Sequence, residues 1–180
     1  MRPRRTAVTG RAIVALLVVG VATLGAGTAG WGRDVASSQR TLPADVEDVL
    51  LDALLGPNGE YVAYATYAAI IDAHGAVRPF ISILASEARH IEALQQILDR
   101  YGIPYPRENP YLETVEAPDS LLAAVQAGAD AEIANIALYE RQLEAVAKYA
   151  DILEVLVNLR AASQQNHLPA FQRAAIRLAG

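Results

Sequence analysis

A proline-rich passage restricts the folds open to this chain more than any other feature. Residues 102–120 read GIPYPRENPYLETVEAPDS, and Pro104, Pro106, Pro110 and Pro118 each remove a backbone donor, so the passage is an extended connection and not a helix. Helical periodicity is present on both sides of it. Upstream, residues 44–55 (ADVEDVLLDALL) form a short amphipathic segment that ends or kinks at Gly56-Pro57-Asn58-Gly59. Residues 60–74 form a second segment that stops at Gly75, and a third runs from about Val77 to Tyr101 and stops at Gly102. Downstream, Asp119 or Ser120 is an N-cap for a helix reaching about Lys148, and after Asp151 another continues toward Leu178 with Pro169 inside it.

Apart from the short first segment, the order is helix, tight turn, helix, long crossover, helix, tight turn, helix. This is the connectivity of a ferritin-like four-helix bundle with one long crossover. No segment alternates with period two over a strand length. The expected fold is all-α: a ferritin-like four-helix bundle over residues 44–180, opened by a short N-terminal lead helix. With only two Phe and one Trp, its core must be built from Ala, Leu, Ile, Val and Tyr.

Residues 1–11 carry Arg2, Arg4, Arg5 and Arg11, residues 12–24 (AIVALLVVGVATL) are uninterruptedly apolar, and GAGTAG follows. That is the three-part form of an export signal, with cleavage after Ala29. The same stretch is almost long enough to span a bilayer, so residues 1–29 are read as a signal peptide or an N-terminal membrane anchor, and residues 30–43 as a linker. Either reading places the domain outside the cytoplasm: periplasmic, extracellular, or anchored to the outer face of the cytoplasmic membrane. The chain has no Cys, so disulfides and thiolate metal sites are excluded and any metal must use oxygen and nitrogen donors. Residues 1–29 hold four of the fifteen basic residues and no acid, which leaves 11 basic against 20 acidic residues in the remainder. That balance argues against nucleic acid as a partner.

Several polar residues fall on apolar helix stripes. In SEARHIEAL, residues 86–94, Glu87 and His90 share a stripe with Phe80, Ile83, Leu94, Ile97 and Tyr101 at steps of three and four. Glu60 shares a face with Tyr64, Tyr67 and Ile71. Glu132 lies with Ile136, Tyr139 and Leu143, flanked by Asn135, and His167 lies with Leu156, Leu159 and Ser163. Burying such groups is costly unless they find partners. Across a tight turn, residues equidistant from it lie at one height. Glu132 and His167 are each about 17 residues from the turn at 149–150. Glu60 lies about 15 residues before the turn at 75–76, with Glu87 and His90 about 12 and 15 after it. All five converge near mid-length.

Carboxylates that bridge two ions, with an imidazole on each, make a dinuclear centre. The ferritin-like version takes one Glu from each of two helices and Glu-x-x-His from each of the others. Glu60, Glu132 and the Glu87/His90 pair meet this on three helices. The fourth departs from it, because the residue three before His167 is Gln164. Three carboxylates then remain for two ions, so a second ion binds more weakly or recruits solvent, an exogenous anion or a neighbour such as Glu140. A mononuclear and a dinuclear centre are both open.

The blocks GEYVAYATY, ASEARHIEALQQILDRYGIP, GADAEIANIALYERQL and LRAASQQNHLPAF, taken in order over about residues 45–175, resemble an exported prokaryotic family of ferritin-like domains of unknown function, the DUF2202 type, distantly similar to rubrerythrin. The resemblance implies a metal-binding four-helix bundle with Glu60, Glu87, His90, Glu132 and His167 at the ligand positions. It brings no established reaction. Gln164 departs from the rubrerythrin pattern, and the absence of Cys excludes a rubredoxin-like iron centre.

The expected function is therefore an exported metal-binding protein whose carboxylate and histidine centre holds iron and reacts with oxygen or peroxide. Manganese or zinc fit the same donors. The alternatives are a non-catalytic bundle that sequesters metal, and a structural bundle whose polar residues satisfy one another. Tyr64 and Tyr139 are expected just behind the ligands and Gln164 either there or in solvent, with Tyr64, Tyr67 and Tyr139 packing through hydrogen-bonded hydroxyls. Metal ions are the expected partners, membrane contact is confined to the N-terminal segment, and a homodimer is left open.

Overall fold

The structure, a computed structural model, describes residues 41–180; the expected leader and most of the expected linker lie outside the described residues. The described chain forms α1 (Ala44–Leu55), α2 (Glu60–His74), α3 (Phe80–Tyr101), α4 (Leu121–Gln142), α5 (Ala150–Ala162) and α6 (Leu168–Ala179). A π-helical turn, Ser163–His167, joins α5 to α6 without leaving helical backbone, so the three act as one helix. There is no strand among the described residues. α2 packs on α3, α4 packs on the α5–α6 unit, and α1 lies against α2, α3 and α4. This is the all-helical bundle with one crossover and a lead helix that the stop signals predict.

Local chemistry sets most helix ends. Gly102 (φ 69°) takes the left-handed position after α3, and its N–H and that of Ile103 close back on the carbonyls of Asp99 and Leu98 at 3.1 and 2.9 Å. Of the two N-cap candidates for α4, Ser120 is the one used: its Oγ accepts from the Ala123 N–H at 3.2 Å. α3 begins at Phe80, later than the expected Val77, because Pro79 occupies the cap position, where its missing N–H costs nothing. α4 stops at Gln142, short of the expected Lys148. Residues 143–148 instead make short turns that carry Val146, fully buried, into the core, and no glycine or proline marks the break. The crossover is pinned to the bundle: the Tyr61 hydroxyl donates to the Pro106 carbonyl at 2.8 Å, Asn109 Nδ2 donates to the Tyr61 carbonyl at 2.7 Å, and Tyr111 OH donates to the Leu55 carbonyl at 2.7 Å.

The interior is divided. One apolar cluster gathers Leu50, Leu54, Leu94, Leu98, Tyr139, Ile152 and Leu156. A second, built on Tyr67, Ile70, Phe80, Ile83, Val125 and Phe171, lies at the other end of the same helices. Along α3 the clusters are separated by Glu87 and His90, along α4 by Glu132 and Asn135, and between Leu159 and Phe171 by Ser163 and His167. Leu42, the last apolar residue of the expected linker, belongs to the first cluster.

Candidate metal centre

The polar layer between the two clusters is the candidate centre. Glu60, Glu87, Glu132, His167 and His90 are only 1, 2, 2, 4 and 8% exposed. Glu60 is the first residue of α2, delivered inward by the turn at Gly56–Gly59 and not left on an exposed first turn. Glu87 and His90 are one turn apart on α3, Glu132 comes from α4, and His167 closes the π turn.

Glu87 occupies the middle. Its Oε2 lies 2.9 Å from His90 Nδ1, and its Oε1 lies 3.1 Å from His167 Nδ1. Glu60 Oε2 approaches the same His90 nitrogen at 3.2 Å, and Glu132 Oε1 approaches His167 Nδ1 at 3.5 Å. Two triads result, Glu60/Glu87/His90 and Glu87/Glu132/His167, each with one donor atom per residue within 4.8 Å of the others. Both contain Glu87. His167 Nδ1 is fully buried and, although close to two carboxylates, has no hydrogen bond of acceptable angle. A buried nitrogen aimed at carboxylate oxygens without a hydrogen bond fits a coordination position.

The outer partners orient these groups. Tyr139 OH donates to Glu60 Oε1, and Tyr67 OH donates to Glu132 Oε1 at 2.7 Å. Ser86 Oγ lies 3.2 Å from His90 Nε2; an Nε2–H donating to it leaves Nδ1 for the carboxylate side. Ser163 Oγ donates to Asn135 Oδ1 at 2.7 Å, and Asn135 Nδ2 donates to the Asn58 carbonyl at 3.0 Å, tying the π turn, α4 and the approach to α2 together.

Burial and neighbouring charge set the protonation of the layer. Burial pushes the Glu60 carboxyl up to about 7, reinforced by the Glu87 charge beside it. Burial would raise Glu87 as well, but its close contacts with Glu60, His167 and His90 outweigh it and bring the group down to about 2. Burial opposes charge on the imidazoles, yet hydrogen bonding to Glu60 and Glu87 lifts His90 to about 10. The nearby Glu132 and Glu87 carboxylates lift His167 to about 9. Burial followed by carboxylate charge holds Tyr67 and Tyr139 far above the ordinary phenol, so both remain donors.

All five residues proposed as ligands from the sequence meet here. The expected supporting residues divide. Tyr139 supports Glu60, but Tyr64 is only half-buried, and Tyr67, three residues further along α2, bonds to Glu132 instead. Gln164 is exposed on the outside of the π turn, the solvated one of its two expected places; Glu140 is also exposed and supplies no fourth carboxylate. Ser86 and Ser163 were the supporting groups overlooked. For Ser86 the spacing was the available signal, since it precedes His90 by four residues; Ser163 acts through Asn135, which no spacing shows.

Residues 53–177 match the model of a family described as an uncharacterized protein domain. The chain belongs to the DUF2202 family. No curated protein and no solved structure matches it. The DUF2202 match begins inside α1 and ends inside α6, and so includes every residue of the polar layer.

Proposed function

We propose that this DUF2202 protein holds two metal ions in the polar layer, with Glu87 shared between them. Glu60 and His90 complete one position, and Glu132 and His167 the other. The observation that carries the reading is the pair of triads joined through Glu87: one residue contributes an oxygen to each side. Oxygen and imidazole nitrogen donors suit iron and also accept manganese or zinc. We favour iron. Bound as a pair, iron supplies electron transfer to oxygen or peroxide. The protein's part is to orient and to insulate. Tyr139 and Tyr67 fix the outer carboxylates, Ser86 sets the His90 tautomer, and the apolar clusters on either side keep bulk water out.

A cavity of about 40 Å³ beside Glu87 and Glu132, lined also by Tyr67 and Asn135, gives room for a small exogenous ligand next to the second position. Three carboxylates under-neutralise two divalent ions, so an added anion or water is expected there. The apolar N-terminal stretch, read as a signal peptide or an anchor, favours work outside the cytoplasm on metal or oxidant. A non-catalytic role in sequestering metal uses the same ligands and differs only in turnover.

The test is elemental analysis of the chain after anaerobic loading with ferrous iron, for wild type and Glu87→Ala/His90→Ala, followed by peroxide consumption. Metal retained by the wild type and lost in the variant, with turnover, supports the oxidoreductase; metal without turnover supports sequestration. A folded wild type that takes up no metal ends both readings and leaves a structural polar clasp.

A further inference from the structure

Outside the polar layer, a groove of about 450 Å³ runs between the beginning of α3 and the π turn with α6. His167 and Ser86 face into it, and Ser86 is the residue hydrogen-bonded to His90. The groove thus reaches His167 itself and the support of His90. Four arginines line it: Arg78 and Arg89 on the α3 side, Arg173 and Arg177 on α6. All four are exposed, and none forms an ion pair or side-chain hydrogen bond among the described residues. By contrast Arg100 pairs with Asp151 and Arg107 with Asp99. No acidic residue lines the groove, although the chain carries 20 acids against 15 bases.

An acidic protein that leaves four guanidinium groups unpaired around one concavity has built an anion site. Arg173 and Arg177 sit one helical turn apart on the same face, where like charges repel and a bound anion relieves the repulsion. Guanidinium forks match carboxylate and phosphate oxygens in two-point hydrogen bonding. Pro79, Ile83 and Ala170 add apolar wall for a carbon skeleton, and the volume falls within the range of about 300–1,000 Å³ for small-molecule sites. The shape and the chain's acidic balance favour a small ligand over a polyanion.

We infer that this groove binds a small organic anion bearing carboxylate or phosphate groups and presents it to the metal centre past His167 and Ser86, as its substrate. The substrate role rests on the metal-binding reading; anion capture by the groove does not. The two are linked by charge, since two divalent ions on three carboxylates leave an excess that an incoming anion neutralises.

The experiment is calorimetric titration of the full chain, metal-free and zinc-loaded, with succinate and with inorganic phosphate as separate probes. The metal content of each preparation is measured in parallel. The wild type is expected to bind at least one probe, more tightly when loaded; preference between the two identifies the anionic group. Arg173→Gln/Arg177→Gln is expected to weaken binding about tenfold or more, with metal content and thermal unfolding unchanged, whereas Arg107→Gln has no effect. Failure of the metal-free and loaded wild type to bind either probe overturns the anion site, as does equal binding by the two variants. Anion affinity indifferent to bound metal removes the substrate role. Anion binding by a chain that takes up no metal overturns the metal reading and leaves the groove standing.

Discussion

The imidazole rings of His90 and His167 lie nearly parallel, 23° apart in orientation, with centroids separated by 5.5 Å. In the metal-free chain both carry a proton at neutral pH, since their surroundings hold them at about 10 and about 9. Two stacked cations would repel; what holds them is Glu87, with one oxygen toward each Nδ1. Protons therefore stand where metal ions would, on the same nitrogens.

Metal binding must displace those protons, because an imidazole coordinates only when neutral. The expected release at pH 7 is about two protons from the histidines, with a further fraction from Glu60, held at about 7. The apparent affinity for a divalent ion should rise steeply from pH 6 to 9. Zinc titrations in two buffers of different ionisation enthalpy give the proton count directly. Binding without proton release would mean that the ion sits elsewhere.

The metal-free chain should itself lose stability toward alkaline pH. His90 and His167 are raised from 6.5, so their contribution is full below 6.5 and is lost as pH climbs through about 9 and about 10. Glu60, raised from 4.5, acts in the same direction between 4.5 and about 7. Glu87 has the opposite sign: lowered from 4.5, its contribution is full above 4.5 and is lost as pH falls through about 2. The unfolding free energy of the metal-free chain is thus expected to peak near 4.5 and decline on both sides. Denaturant titrations across this range check it, and His90→Gln should flatten the alkaline limb.

Much of this arrangement was legible in the sequence, because few devices place acids and histidines on apolar stripes of four helices at one height. The long crossover was equally plain, since four prolines leave no helical alternative. The π turn was not. Pro169 signalled that regular hydrogen bonding must fail near Gln165, but a kink, a frayed end and a widened turn all answer that need. The widened turn is realised, with the Leu168 N–H bonding to the Ser163 carbonyl five residues back. The early end of α4 was also hidden, because LEAVAK (143–148) holds no glycine or proline and five of its six residues are good helix formers.

Gly128 should not tolerate a methyl group. In an ordinary helix interior, Gly→Ala gains about 1 kcal/mol from backbone entropy. Here a Cβ would lie 2.7 Å from the Phe171 ring, which is fully buried between Tyr67 and Phe80 and packs 5.4 and 5.2 Å from them. The ring has nowhere to retreat, so Gly128→Ala is expected to destabilise by about 1–3 kcal/mol in spite of its propensity gain. Urea unfolding measures the sign; a stabilised variant would show that α4 and α6 can move apart.

The shared position of Glu87 distinguishes its removal from that of its neighbours. Glu132 belongs to one triad and Glu87 to both. Glu132→Ala is expected to lower metal content to the single Glu60/Glu87/His90 position, whereas Glu87→Ala should abolish binding altogether. Without metal, Glu87→Ala also leaves His90 and His167 as neighbouring buried cations that have lost their common counter-ion, at a cost of about 3–5 kcal/mol. Glu87→Gln keeps the shape and one acceptor, and should lose metal while unfolding at lower denaturant than wild type but higher than Glu87→Ala. Elemental analysis and urea titration of the three variants together test the bridging role. Equal residual metal in Glu87→Ala and Glu132→Ala would show that the two positions do not share a ligand.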